Sequence, residues 1–141
     1  MRHFEILDRV TFDSESGVMT LTTQAETAGH PQLDLRREGA YVAISARYGP
    51  LEIALRPRYE DVVRLLARLQ PIEGLQTTRQ VGTSQAYLAI GLRSDRTLVL
   101  RPTIVADATG YFAFNLALTP HIRQALYEWL NVEADGVANS T

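Results

Sequence analysis

A chain of 141 residues with 45% apolar and 21% charged side chains has the length and composition of one soluble domain with a sizeable core. Its formal charge of −2 excludes nucleic-acid binding through a global positive field, so any such role requires a local patch. With no Cys, disulfides, thiolate catalysis and zinc–thiolate sites are excluded as well. All 14 basic residues are Arg, so every cation is a planar fork suited to phosphates, carboxylates and aromatic faces. The first ten residues carry Arg2, His3, Glu5, Asp8 and Arg9 and do not read as a signal peptide. No apolar run reaches the length of a membrane span, so the expected location is cytoplasmic and no membrane partner is expected.

In chain order, Phe4, Ile6, Val10 and Phe12 share parity and predict one strand over residues 2–13, bent near Leu7-Asp8. Residues 13–17 are a turn cluster, Val18 to Thr23 a second strand, and residues 25–32 a loop. A third strand starts at Leu33 and is bent by Arg37-Glu38-Gly39. Beyond that bend, in the first copy of a phrase repeated later, Val42, Ile44 and Ala46 face one way; Tyr41, Ala43, Ser45 and Arg47 face the other. The chain turns at Tyr48-Gly49-Pro50, returns through Leu51, Ile53 and Leu55, and stops its ladder at Pro57. Tyr59, Val62, Leu66 and Leu69 then recur at helical spacing, with Glu60 and Asp61 early and Arg68 late, so residues 58–69 predict an amphipathic helix ended by Pro71 and Gly74.

The second half predicts a short strand over residues 77–81 and then alternation of Ala86, Leu88, Ile90 and Leu92 against Tyr87, Ala89, Gly91 and Arg93. After a turn at residues 94–96, Leu98 and Leu100 point inward, with Val99 and Arg101 outward. Beyond Pro102 the chain continues to a turn at residues 107–110. A further strand then alternates Phe112, Phe114, Leu116 and Leu118 with Tyr111, Ala113, Asn115 and Ala117. Thr119-Pro120 predicts a helix start, a capping hydroxyl before a first-turn proline. Ile122, Ala125, Leu126, Trp129 and Leu130 form its stripe, with Trp129 read as core packing, and residues 133–141 as a flexible tail.

One phrase occurs twice. Residues 40–47 read Ala-Tyr-Val-Ala-Ile-Ser-Ala-Arg and residues 86–93 read Ala-Tyr-Leu-Ala-Ile-Gly-Leu-Arg; each is followed by an apolar strand ending in Arg-Pro. Such self-similarity sets architecture. It predicts an α+β fold of two β-β-β-β-α-like repeats over residues 2–70 and 77–131, with antiparallel sheets covered by two helices, in a single domain over residues 1–132. The outward side of each copy offers Tyr41, Arg47 and Arg56, or Tyr87, Arg93 and Arg101, around small residues. A flat sheet with aromatics and Arg is a surface on which single-stranded bases stack while phosphates meet cations. Small residues on a sheet face equally suit close packing against a second copy or a protein partner, and Arg at a strand end is often only a solvated terminus.

Two β-β-β-β-α units resemble the fold of the single-stranded-DNA-binding transcriptional regulators of the Whirly and Pur-alpha type. Leu35-Arg36-Arg37-Glu38-Gly39 before an alternating strand is similar to the strand-turn segment of the Whirly first repeat, and the Phe-rich strand entering a helix at Thr119-Pro120 resembles the second. The Lys-Gly-Lys signature of the first Whirly strand is absent, as is all Lys. The resemblance implies sheets that bind single-stranded DNA or RNA and helices that mediate homo-oligomers.

His3, His30 and His121 have no metal-ligand spacing, Glu60-Asp61 is explained by a helix dipole, and the Ser residues lack a nucleophile-elbow context. The expected function is therefore non-enzymatic, without metal or cofactor: single-stranded nucleic-acid binding through Tyr41, Arg47, Arg56, Tyr87, Arg93 and Arg101. The alternatives are a homo-oligomeric protein-interaction module with the sheet face as interface, and a sheet-lined pocket for a small ligand.

Overall fold

The computed structural model describes residues 3–25, 28–71 and 79–133. Its strands are β1 (Glu5–Leu7), β2 (Arg9–Asp13), β3 (Val18–Thr22), β4 (Gln32–Glu38), β5 (Tyr41–Tyr48), β6 (Leu51–Leu55), β7 (Arg79–Gly82), β8 (Ala86–Leu92), β9 (Leu98–Asp107), β10 (Gly110–Ala113) and β11 (Leu116–Leu118). Its helices are α1 (Tyr59–Arg68) and α2 (Pro120–Leu130). The fold is α+β. One sheet is the meander β2-β3-β4-β5-β6; the other runs β1-β11-β9-β8-β7, with β10 also on β9. All pairs are antiparallel except β1 with β11. The expected tail beyond Glu133 and the helix stop at Gly74 lie outside the described residues.

Period-two patterning positions both sheets. Val42, Ile44, Ala46, Ile53 and Leu55 of the first and Leu88, Ile90, Leu92, Leu98, Leu100, Leu116 and Leu118 of the second are all buried in one core. The buried stripes of both helices, Val62, Leu65 and Leu66 on α1 and Ile122, Leu126 and Leu130 on α2, join that core. Both sheets turn their apolar sides to it, so their other sides point away from it.

The single strand expected over residues 2–13 is two strands in different sheets. The chain crosses between them at Asp8. There the Asp8 backbone N–H donates to the Thr22 carbonyl at 2.9 Å, and its carboxylate accepts from the Gln24 N–H at 2.8 Å. The break lets Leu7 enter the shared core, fully buried, while Val10 packs at its margin on the other sheet.

The strand expected through Phe112, Phe114, Leu116 and Leu118 is also divided, into β10 and β11, although both halves keep one register against β9: Ala113 opposite Thr103 and Leu116 opposite Leu100. The cause is Pro102. Phe114 donates its N–H to the Pro102 carbonyl at 3.2 Å. In an antiparallel pair that bond should be returned by an N–H, and proline has none. The ladder fails on that edge at residues 114–115, while β9 runs through Pro102 and pairs with β8 on its other side.

Turn chemistry fixes the hairpins. Tyr48 faces Leu51 across Gly49-Pro50, and Gly49, at φ 61°, occupies the first central position of a two-residue loop, where a positive φ is required. Between β8 and β9 a three-residue loop puts Arg96 at φ 74°. α2 starts as expected: the Thr119 hydroxyl accepts from the Ile122 N–H at 3.4 Å, with Pro120 in the first turn. Trp129 is partly buried against the core.

Candidate nucleic-acid interface

The structure places Tyr41, Arg47 and Arg56 on the outward side of the five-stranded sheet and Tyr87, Arg93 and Arg101 on the outward side of the six-stranded sheet, as their alternation with buried neighbours requires. Each trio lies along one hairpin, which brings Arg56 to Tyr41 and Arg101 to a cleft beside Tyr87 but leaves Arg47 and Arg93 about 20 Å of strand away from those tyrosines, and the two trios lie on different sheets.

On the five-stranded sheet the guanidinium groups have acidic partners. Arg47 donates to the Asp34 carboxylate at 2.7 Å, and Arg56 donates through Nε to Glu38 at 3.0 Å. Glu38 also accepts from Arg36. The Arg36 hydrogen bond, followed by that from Arg56, holds the Glu38 carboxyl below the ordinary range. Ser45 donates to Glu52. Arg56 lies 4.5 Å from the Tyr41 ring centroid and Arg58 5.9 Å. Between these groups Ala43, Ala54 and Val18 border an open depression of about 410 Å³. An incoming anion meets carboxylates already seated on the arginines. These ion pairs are more than one-sixth exposed on every partner, so each contributes little stability.

The six-stranded sheet differs. Its outward floor is small and closely covered: Val99 is 5% exposed, Ala89 6%, Ala117 2% and Thr103 2%, although none of the four belongs to the main core. Among the described residues neither Arg93 nor Arg101 makes an ion pair within 4 Å of a carboxylate. Both stand against aromatic rings instead. The Arg93 guanidinium lies 4.9 Å from the Phe4 centroid; that of Arg101 lies 5.3 Å from the Tyr111 centroid and donates to the Tyr111 hydroxyl at 2.9 Å. β1 and β8 are separated by β11 and β9, so the Arg93–Phe4 contact spans the row that contains Val99 and Ala117. Asp95, in the loop after Arg93, is held below the ordinary range first by the backbone N–H of Thr97, with the Arg93 charge a smaller contribution.

Sequence reasoning missed the partners. The bend expected at Arg37-Glu38-Gly39 is instead a hairpin turn, Gly39 taking φ 61° in a two-residue loop with Ala40. Asp34 and Glu38 share parity with Arg36 on β4, and that turn sets Glu38 opposite Tyr41 and Asp34 opposite Ser45. That hairpin register was the available signal for both ion pairs. Phe4 reaches Arg93 from the segment just before β1, far off in sequence, which no local pattern announces, whereas Tyr111 reaches Arg101 within the β9–β10 hairpin, for which the turn at residues 107–110 was the available signal. No group of three or more His, Cys, Asp or Glu able to hold a metal occurs among the described residues, and none of their helices is long and apolar enough to cross a membrane.

Compared with protein-family models, curated proteins and solved structures, the chain matches none of the three sets. Its class therefore rests on the fold itself: an α+β protein of two antiparallel-rich sheets and two helices around one core.

Proposed function

We propose that this protein binds single-stranded DNA or RNA, with the outward side of the six-stranded sheet as the principal track. The observation that carries the reading is the contrast between the sheets: Arg93 and Arg101 stand beside aromatic rings over a small-residue floor, whereas Arg47 and Arg56 are engaged by Asp34 and Glu38. Each stacked base is worth about 1–3 kcal/mol on such a surface, so Tyr87 with two arginines binds without a high net charge. Tyr41, Arg47 and Arg56 form a weaker second patch, open to a strand only when their carboxylate partners yield. The duplicated phrase is read here as two β-β-β-β-α-like units in one domain, with helices over the sheets, in keeping with the Whirly-like resemblance. The activity is non-enzymatic.

Fluorescence anisotropy with labelled oligonucleotides tests this reading. Affinity falls with salt at a slope of about −0.7 per phosphate contacted. Arg93→Ala weakens binding more than Arg47→Ala does. An absence of binding at low salt removes the proposal.

The second reading is a homo-oligomer that mates this same small-residue side. It is favoured by Ile6, which stands opposite Ala117 and is 55% exposed. Sedimentation velocity of Ile6→Asp decides it: a drop in oligomer mass supports the reading, and an unchanged mass removes it.

A further inference from the structure

At one end of the six-stranded sheet the β9–β10 hairpin frames an open cleft of about 630 Å³, within the range of small-ligand sites. Its walls include Tyr87, Arg101, Val105, Asp107, Thr109 and Tyr111. Tyr87 pairs with Thr103 and Tyr111 with Val105, so the two tyrosines stand on the strands either side of β9. Neighbouring strands are about 4.8 Å apart and the two rows are offset by two residues, about 6.8 Å, which sets their backbones roughly 12 Å from each other. A planar ring in van der Waals contact on both faces needs about 7–8 Å.

The charges are arranged along the cleft. Arg101 is fixed by its bond to the Tyr111 hydroxyl, and its Nε is buried without an acceptor. The carboxylate of Asp107 is turned to the Thr109 N–H at 2.7 Å and the Thr109 hydroxyl at 2.6 Å, bonds that hold it ionised below the ordinary range. An anionic group is thus attracted at the Arg101 end and repelled at the Asp107 end, where hydroxyl and amino donors are accepted.

We propose that this cleft seats one nucleotide unit: its base between Tyr87 and Tyr111 with an amino edge toward Asp107, its phosphate on Arg101, and its sugar between base and phosphate. The unit comes either from a strand, in which case the inference rests on the nucleic-acid reading above, or from a free mononucleotide, in which case it stands without it. In both cases the shared chemistry is a planar base carrying a phosphate.

The test titrates the full chain with adenosine 5′-monophosphate, adenosine and inorganic phosphate, read by chemical-shift change, alongside a labelled oligonucleotide. Adenosine 5′-monophosphate is expected to bind saturably and about tenfold more tightly than adenosine or phosphate alone. Tyr111→Ala weakens both adenosine ligands, whereas Arg101→Gln weakens only the phosphorylated one; Tyr111 is 62% exposed, so its removal spares the core. Monophosphate binding without oligonucleotide binding assigns the cleft to free nucleotides and ends the nucleic-acid reading alone. Weaker oligonucleotide binding in Tyr111→Ala, without monophosphate binding, assigns it to a strand unit. If the monophosphate fails to bind and Tyr111→Ala leaves oligonucleotide affinity unchanged, the cleft proposal is overturned, while Arg93-dependent binding still reports on the sheet.

Discussion

The buried hydroxyl of Tyr127 donates to the carbonyl of Leu66 at 3.1 Å, joining α2 to the last turn of α1. The arrangement is reciprocal: the Tyr59 hydroxyl, from the first turn of α1, donates to the carbonyl of Leu130 at the end of α2. The last carbonyls of a helix have no partner within it, so each helix supplies the other with a donor. Tyr127→Phe is therefore expected to cost about 1 kcal/mol by urea denaturation, because it removes the shorter of two hydrogen bonds to the buried Leu66 carbonyl, leaving the Leu69 N–H at 3.4 Å, while keeping the ring. Tyr127→Ala, which also opens a cavity, is expected to cost about 3–5 kcal/mol. Equal stability of Tyr127→Phe and the parent would mean that this bond contributes nothing.

Gly29 is held at φ +86°, and a Cβ there would meet the Tyr48 ring at 2.6–3.0 Å. Gly29→Ala is expected to lose upward of about 1 kcal/mol from the backbone alone, with the clash added. In a Tyr48→Ala background the same change should cost less. A double-mutant cycle with no coupling would place the whole effect in the backbone.

Pro102 divides the strand opposite it. Pro102→Val restores an N–H facing Phe114, so β10 and β11 should join across residues 114–115. The check is hydrogen exchange: the new amide is expected to be protected, and rapid exchange there would contradict the explanation given for the break.

Glu38 sets an acid dependence. Its carboxyl is depressed in the folded protein, first by Arg36 and then by Arg56. Its stabilising contribution is therefore complete above the ordinary carboxylate value and is lost as pH falls through the depressed one. The stability difference between the parent and Glu38→Gln should shrink on acidification from ~pH 6 to below ~pH 4. A difference that is constant with pH would show that the two arginines do not act through this charge.

Much of the architecture was legible in local pattern. The alternation at Val42, Ile44 and Ala46 gave the correct inward side, and Thr119-Pro120 marked the start of α2 within a residue. What local pattern could not carry was pairing between distant strands. Phe112 and Leu116 have one parity, and only the placement of Pro102 on the neighbouring strand separates them. Tyr127 lies beside the stripe of Ile122, Leu126 and Leu130, yet it is 3% exposed because α1 lies against it. For the candidate interface, the Tyr and Arg positions were visible, but whether each guanidinium meets a carboxylate or a ring depends on register and on which sheet receives it.

The parallel pairing of β1 with β11 has a consequence for biosynthesis. Residues 5–7 leave the ribosome well before their partners, residues 116–118, are made. Until then Leu7 has no finished slot to enter, and one border of the larger sheet stays unbuilt. So distant a closure slows completion of the fold, and until it is made the β1 segment is a client for chaperones that shield apolar segments.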